Sequence, residues 1–448
     1  MRRTLPTTSM VICGLLLAAC SATTSTTDQP SAGGEQISSE PANSSGEVGA
    51  EEEGEEGRGG EAANEAEEEA NLTQERLEAA EQAREAGTFG TAREIVNHPA
   101  PGWSGEQLLN HGTDDWEPAV AADPGSPYVY ILTTRYGEPK TCPSHCPTPY
   151  IPISISADGG KTWKPQVPLC VCRGASGQYD PTIEVVQNTG AVYSAFLNGD
   201  RAGAYSTSFI KSTDHGKTWS DPVHVYGHVS WTDKPEITTS PSGRDIYVSW
   251  NGPQGGDLYV GMSHDFGNTW THTKLTNSKR YFFANDGTVL PGGTVVFSES
   301  SLTYSGPASS AEGKVWHHAI ISRDFGTTWK NVIVDKVALG EDCVAAGCSS
   351  DYYTGQTSVA NDPTGHLVFT YEGAQVNGGP QRIYVRTSND GGRTWGSRVA
   401  LSVKGENATG PRVDSDAAGN ARLWYMQTSN GDDPDAWNVW YRSSQDGG

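Results

Sequence analysis

The sequence predicts an all-β chain, a six-bladed β-propeller of four-stranded antiparallel blades closed by pairing its N- and C-terminal strands. Three observations point there. The pattern Ser-x-Asp-x-Gly-x-Thr-Trp occurs in full five times: Ser156–Trp163, Ser212–Trp219, Ser263–Trp270, Ser322–Trp329 and Ser388–Trp395. A sixth copy begins at Ser444 and reaches its aspartate, Asp446, two residues before the last, Gly448. The aspartates Asp158, Asp214, Asp265, Asp324, Asp390 and Asp446 are 56, 51, 59, 66 and 56 residues apart. Self-similarity at such a period marks a repeated structural unit.

Each interval has the same internal order. In the third, Asp233-Lys234-Pro235-Glu236-Ile237 precedes a Ser-Pro-Ser-Gly turn, and Asp245 to Trp250 alternates β-branched and aromatic residues. A glycine-rich loop leads to Leu258–Ser263 and the next aspartate motif. Strand, turn, strand, loop, strand, turn, strand is an antiparallel meander of four. The first interval repeats it with Glu117–Ala121, Tyr128–Leu132 and Ile151–Ser156. The second does so with Asp180–Ile183, Ala191–Phe196 and Ser206–Ile210, and the fifth with Thr357–Ala360, His366–Tyr371 and Ile383–Arg386. Four-stranded sheets arranged radially leave only short, protected edges.

The sixth unit is completed from the other end of the chain. Trp219 stands sixteen residues before Pro235, and Trp103 fifteen before Pro118. Trp103 is therefore expected in the missing tryptophan position, with residues 105–110 as the outer strand of the last blade. The alternative is a reading frame truncated at Gly448.

Residues 1–20 read as a lipoprotein signal. Arg2 and Arg3 precede an apolar run, Met10–Leu17, too short for a permanent span, and Leu-Ala-Ala-Cys20 follows. Cys20 is the expected lipid site and the chain is expected outside the cytoplasm, anchored to the bacterial cell membrane. An ordinary secretory signal is the plainer alternative. Residues 21–90 form an acidic low-complexity tether, expected to be disordered for want of large apolar side chains. Its stretch 65–85 has the composition of a solvated helix. Residues 1–90 hold 18 acidic and 5 basic groups, more than half of the net charge of −23, so like charges extend the tether. No basic cluster exists in the sequence, which argues against a nucleic-acid partner. The propeller is assigned to 91–448, and a monomer is expected.

Beyond the signal lie Cys142, Cys146, Cys170, Cys172, Cys343 and Cys348. An even number in an exported chain favours disulfides. The first four are expected to cluster, with Cys343 and Cys348 closing a small loop; zinc held by the four-cysteine group, with His145, is the alternative.

The repeated octet resembles the Asp-box, or BNR repeat, of the sialidase superfamily of six-bladed propellers, and the resemblance covers 117–448. It implies that each box lies in the hairpin between third and fourth strands, away from the active site. There the aspartate ties backbone amides and the tryptophan packs between blades. Asp158, Asp214, Asp265, Asp324, Asp390 and Asp446 are thus structural candidates.

Chemistry is expected where the innermost strands begin and ring the channel mouth: Trp116-Glu117, Tyr179-Asp180, Asp233-Lys234, Arg280-Tyr281, the stretch from Asp351 to Gln356 with Tyr352 and Tyr353, and Arg412. Glu117, Asp180, Asp233 and Tyr353 are the catalytic candidates; Trp116, Tyr179, Arg280, Arg412 and Gln356 are the candidates for substrate binding. Aromatic platforms with polar groups suit sugar recognition, and a carboxyl pair suits glycoside hydrolysis. The structural alternative is that acids preceding proline cap strand starts or hold a cation such as calcium; no cofactor is evident. The resemblance implies three arginines on a sugar carboxylate, but Trp116 stands where the first would precede Pro118. Arg135 and Arg173 are weak substitutes, so true sialidase chemistry is not expected. What remains is a glycan-hydrolysing or glycan-cleaving enzyme, a non-catalytic propeller binding a glycan or cell-surface protein, or an envelope scaffold.

Overall fold

Short runs rich in β-branched and aromatic residues between turns make the strands, and the middle strands are buried on both faces, as Val192–Gly199, Ile246–Asn251 and Leu367–Gly373 are almost throughout. The computed structural model describes residues 109, 114–137, 147–170, 172, 174–199, 205–227, 229, 232–252, 256–304, 311–340, 355–416, 419–428 and 437–448. These residues form six antiparallel sheets in sequence order, five of four strands and one of three. The first strands are Asp114–Ala122, Gln178–Val185, Asp233–Thr239, Tyr281–Val289, Thr357–Asn361 and Ala408–Ser415. Each of the first five packs against the first strand of the next sheet, as the innermost strands of a propeller do. The fold is the six-bladed propeller that the repeats predict.

Five apolar clusters fill the five successive blade interfaces. Between blades one and two lie Leu132, Ile153, Ile183 and Phe196, and between blades three and four Val260, Met262, Phe282 and Phe297. Each octet lies between the third and fourth strands of its blade. Its bonds are local and repeat closely. In blade one Ser156 Oγ donates to Asp158 Oδ1 at 2.8 Å, and the amides of Lys161 and Thr162 donate to the same oxygen at 3.0 and 2.9 Å. Thr162 Oγ1 donates to Oδ2 at 2.6 Å. These donors favour the ionised form and hold Asp158 down to about 2, as in Asp214, Asp265 and Asp390.

The octet tryptophans join the blades. Trp219, Trp270, Trp329 and Trp395 pack on the cores between blades one and two, two and three, three and four, and four and five. No tryptophan packs on the corresponding core between blades five and six among the described residues. There a cavity is lined by Val368, Val385, Leu401, Leu423, Asp446 and Gly448. Ala421, Leu423 and Tyr425 face blade five, so the alternate residues Trp424 and Met426 lie on the opposite face, where both are exposed. Val439, beside them, is 75% exposed.

The sixth sheet has three strands among the described residues, and the segment expected to complete it lies, apart from Leu109, outside them. Deleting residues 100–112 is expected to lower the melting temperature and raise binding of a hydrophobic dye. A variant as stable as the parent would sink terminal closure.

Cys170 and Cys172 are bonded to each other. Cys20, Cys142, Cys146, Cys343, Cys348, Tyr353 and the expected helix at 65–85 lie outside the described residues.

Candidate active site

Three successive blades begin their inner strands with the same irregularity. Glu117, Asp180 and Lys234 each precede a proline, and each has a left-handed backbone, with φ of 51°, 48° and 46°. The strand pairing slips at Trp116/Ala119 and Tyr179/Thr182, and opposite Ser249/Asn251 in blade three. A bulge re-aims a side chain and is over-represented beside active sites. Left-handed dihedrals at non-glycine residues cost roughly 1–3 kcal/mol each and persist where surrounding contacts enforce them.

Those contacts run from blade to blade. The Asp180 amide donates to Glu117 Oε2 at 3.1 Å, and the Lys234 amide donates to Asp180 Oδ2 at 3.3 Å. Thr134 Oγ1 donates to Glu117 Oε2 at 2.6 Å. The Lys234 ammonium lies 3.3 Å from Asp180 and 3.9 Å from both Glu117 and Asp233. Asn251 Nδ2 donates to Asp233 Oδ2 at 3.1 Å and reaches the Tyr281 hydroxyl at 3.2 Å. Three acids and one lysine thus form a single network.

Burial and mutual repulsion separate the acids electrically. Burial, reinforced by the Asp180 charge, raises Glu117 to about 8. Burial raises Asp233 to about 6, with Lys234 opposing it and Asp180 adding to it. Asp180 also feels burial, but Lys234 and hydrogen bonds from both neighbouring acids outweigh it and bring it below the usual carboxylate range. Glu117 is the accessible member, with 36% of its side chain exposed against 7% for Asp180 and 6% for Asp233. Neighbouring acids with values pushed apart provide a proton donor beside a fixed negative charge.

Below this layer the blades meet across the ring. Arg412 of blade six donates through Nη1 to the Asn285 carbonyl of blade four at 2.9 Å. Its guanidinium is 4.0 Å from Glu236 of blade three and 3.9 Å from Asp286 of blade four. Blades three and six are opposite members of a six-membered ring, so these groups stand at the channel axis. Burial raises Glu236 and Glu184 to about 8, and pushes Asp286, Asp414 and Glu299 upward as well. Among the described residues no group of three or more His, Cys, Asp or Glu side chains is arranged to hold a metal ion.

No family model matches the chain. A sialidase of Bacteroides fragilis (strain YCH46) is 25% identical over 296 residues, 58% of this chain and 50% of that protein. The chain therefore matches about half the length of that curated relative. The leech intramolecular trans-sialidase superposes with a TM-score of 0.48 at 12% identity, covering 74% of this chain and 68% of that one. An ulvan lyase, a polysaccharide lyase, gives a TM-score of 0.48 at 12% identity over 72% of this chain and 77% of its own. The fold is a six-bladed β-propeller, and over 296 residues the sequence is similar to that of the Bacteroides sialidase.

The other expected binding residues are scattered. Arg280 spends its donors within its own blade: Nε on Ser301 Oγ at 2.8 Å, Nη1 on Thr303 at 2.9 Å, and Nη2 on the carbonyls of Ser301 and Lys314 at 2.7 and 2.6 Å. Arg135 is held by both oxygens of Asp115 at 2.7 and 3.0 Å. Trp116 donates to Asp114 at 2.8 Å, and Tyr179 is buried against Leu197. The Gln356 amide donates to Glu372 Oε1 at 3.3 Å, and Glu372 Oε2 accepts from Thr409 at 2.6 Å and the Gly410 amide at 3.0 Å. Glu372 therefore fastens blades five and six at the mouth. Burial raises it to about 7 in spite of these donors.

Glu184, Glu236, Asp286 and Asp414 were not among the sequence candidates. A period of two supplies part of the missing signal: Glu184 follows Asp180 by four residues, Glu236 follows Lys234 by two, and Asp414 follows Arg412 by two.

Proposed function

We propose that this chain is a glycan-active enzyme that hydrolyses glycosidic bonds at the channel mouth. The observation that carries the reading is the contact of Glu117, Asp180 and Lys234 at three equivalent left-handed bulges. Glu117, protonated at neutral pH and accessible, donates its proton to the leaving glycosidic oxygen. Asp180, kept ionised by Lys234, stabilises the positive charge that develops on the sugar ring as the glycosidic bond breaks; water then adds to the anomeric carbon and gives its proton to the Glu117 carboxylate, which restores the acid. Similarity over 296 residues to a Bacteroides protein named a sialidase supports a glycan as ligand. In this reading the domain works outside the cytoplasm, held to the membrane through lipid on Cys20 by the tether 21–90.

A second reading, a glycan-binding propeller without turnover, draws on the internal satisfaction of Asp180, whose carboxylate already meets the Lys234 amide and ammonium. A glycan panel separates the two. Reducing-sugar release is expected from at least one glycan, and Asp180→Asn is expected to lower it about 100-fold or more. Binding by the parent protein with no bond cleaved would sink the enzymatic reading and leave the binding one.

A further inference from the structure

The sequence holds no run of basic residues, yet blade four gathers three cations from separate segments. Phe282, Ser301, Trp316 and Lys336 form one row across its four strands. The Arg280 guanidinium lies 4.4 Å from the centre of the Trp316 indole, and the Lys336 ammonium lies 3.5 Å from it. Arg280 Nη2 also donates to the carbonyl of Lys314, which stands two residues before Trp316 on the same face of the strand. Each hydrogen bond of Arg280 ends on a neutral oxygen, so its charge is placed and not cancelled. The Asp335 carboxylate, next to Lys336 in the chain, is turned to the opposite face and pairs with Arg398 and Arg386. Among the described residues no carboxylate pairs with Arg280, Lys314 or Lys336, and both lysines are exposed. Burial lowers the neighbouring His318 to about 4, and the charges of Arg280 and Lys336 contribute to that shift.

We propose that blade four carries an auxiliary subsite for an acidic sugar unit, whose carboxylate or sulfate meets Lys314 and Lys336 beside Trp316; this rests on the glycan reading above. Like charges gathered without a counter-ion raise the local positive potential, and a bound anion relieves it. Cation–π contact with the indole fixes where Arg280 and Lys336 present their charge. Each lysine ammonium has three donors, and neither is spent on an acid. The patch is continuous with the acids at the mouth. Arg280 precedes Tyr281, whose hydroxyl meets Asn251, the partner of Asp233. Trp316 stands two strands out from the innermost one, about 10 Å at the usual spacing. An acidic unit bound there lies outside the channel and avoids the negative charge of Asp180.

The test uses the full chain and a panel of soluble polysaccharides. Each sulfated polymer is paired with its desulfated form, and each uronic-acid polymer with its carboxyl-reduced form, so the two arms separate sulfate from carboxylate. Calorimetry at two salt concentrations and reducing-sugar release are both read. In at least one arm the acidic member is expected to bind at least about tenfold more tightly than its neutral counterpart, the least that one charge-assisted hydrogen bond gives. Added salt is expected to shrink that ratio. The double variant Lys314→Gln with Lys336→Gln, checked for an unchanged melting profile, is expected to bring the ratio close to one. Lys314→Gln alone, which leaves the Trp316 contacts in place, is expected to remove part of it. A control, Lys217→Gln with Lys330→Gln, takes the same charge from the octet end and is expected to keep the ratio. Acidic members bound no more tightly than neutral ones, a ratio that survives the loss of Lys314 and Lys336, or one lost equally in the control would overturn the proposal while the glycan reading stands. A panel neither bound nor cut in any arm would overturn the glycan reading, and this proposal with it.

Discussion

Glu117→Gln is expected to abolish most glycan cleavage, by about 100- to 10,000-fold, the range over which a positioned general acid contributes. The amide preserves the size of the side chain and its acceptor for Thr134 and the Asp180 amide, but has no proton of suitable acidity to give. The parent enzyme should show the matching pH dependence. Burial is the largest cause of the Glu117 shift to about 8, and the Asp180 charge adds to it against the opposing pull of Lys234. The acid form therefore persists through neutrality, and activity is lost as pH rises through about 8. The same shift has a consequence for stability, with a definite sign. Between the ordinary value of 4.5 and about 8 the native state binds more protons than the unfolded chain, so the contribution of Glu117 falls as pH rises across that window. Glu117→Gln should lack this loss and be relatively more stable at pH 8 than at pH 5, compared with the parent. Near-parental cleavage by Glu117→Gln, or an unmoved alkaline limb in any residual activity, would remove Glu117 from the chemistry.

Gly267→Ala is expected to destabilise the domain by about 2–5 kcal/mol, and Gly160→Ala by only about 1–2 kcal/mol. The two glycines hold the same position in their octets. Both have left-handed backbones, with φ of 78° and 83°, so alanine incurs a similar dihedral cost at each. Their surroundings differ. A Cβ on Gly267 would lie 2.4 Å from Cε1 and 2.8 Å from Cζ of Phe209, whose ring belongs to blade two and packs on Trp270 at 5.1 Å. On Gly160 the nearest atom would be 3.9 Å away, in Trp163 of the same octet. Phe209 is buried and hemmed by Tyr193, so it has little room to yield. The difference between the two variants isolates the cost of separating blades two and three. Denaturant unfolding of both proteins measures it, and equal losses would show that the octet glycine is needed for its dihedral alone.

The octets were legible because their bonds are local. Asp158 bonds groups two to four residues away, and the same short span serves Asp214, Asp265, Asp324 and Asp390. A structure held by such contacts leaves its residue types at fixed spacing in the chain. Proline after Glu117, Asp180 and Lys234 likewise marked where the inner strands begin, and those three residues do meet. Arg280 occupies a similar place in the sequence, yet its guanidinium is saturated by Ser301, Thr303 and Lys314. Spacing reports where a side chain starts and is silent on which of several acceptors it finds. Arg412 bonds a carbonyl 127 residues away, and Glu236 and Asp286 become its neighbours only because the ring brings blades three and four to the same axis as blade six. Local spacing therefore sets the repeating blade and the acids at the mouth. The pairing of charges across the channel, which divides the acids into protonated and ionised groups, was decided by tertiary structure, because it depends on burial and on distances that no local spacing encodes.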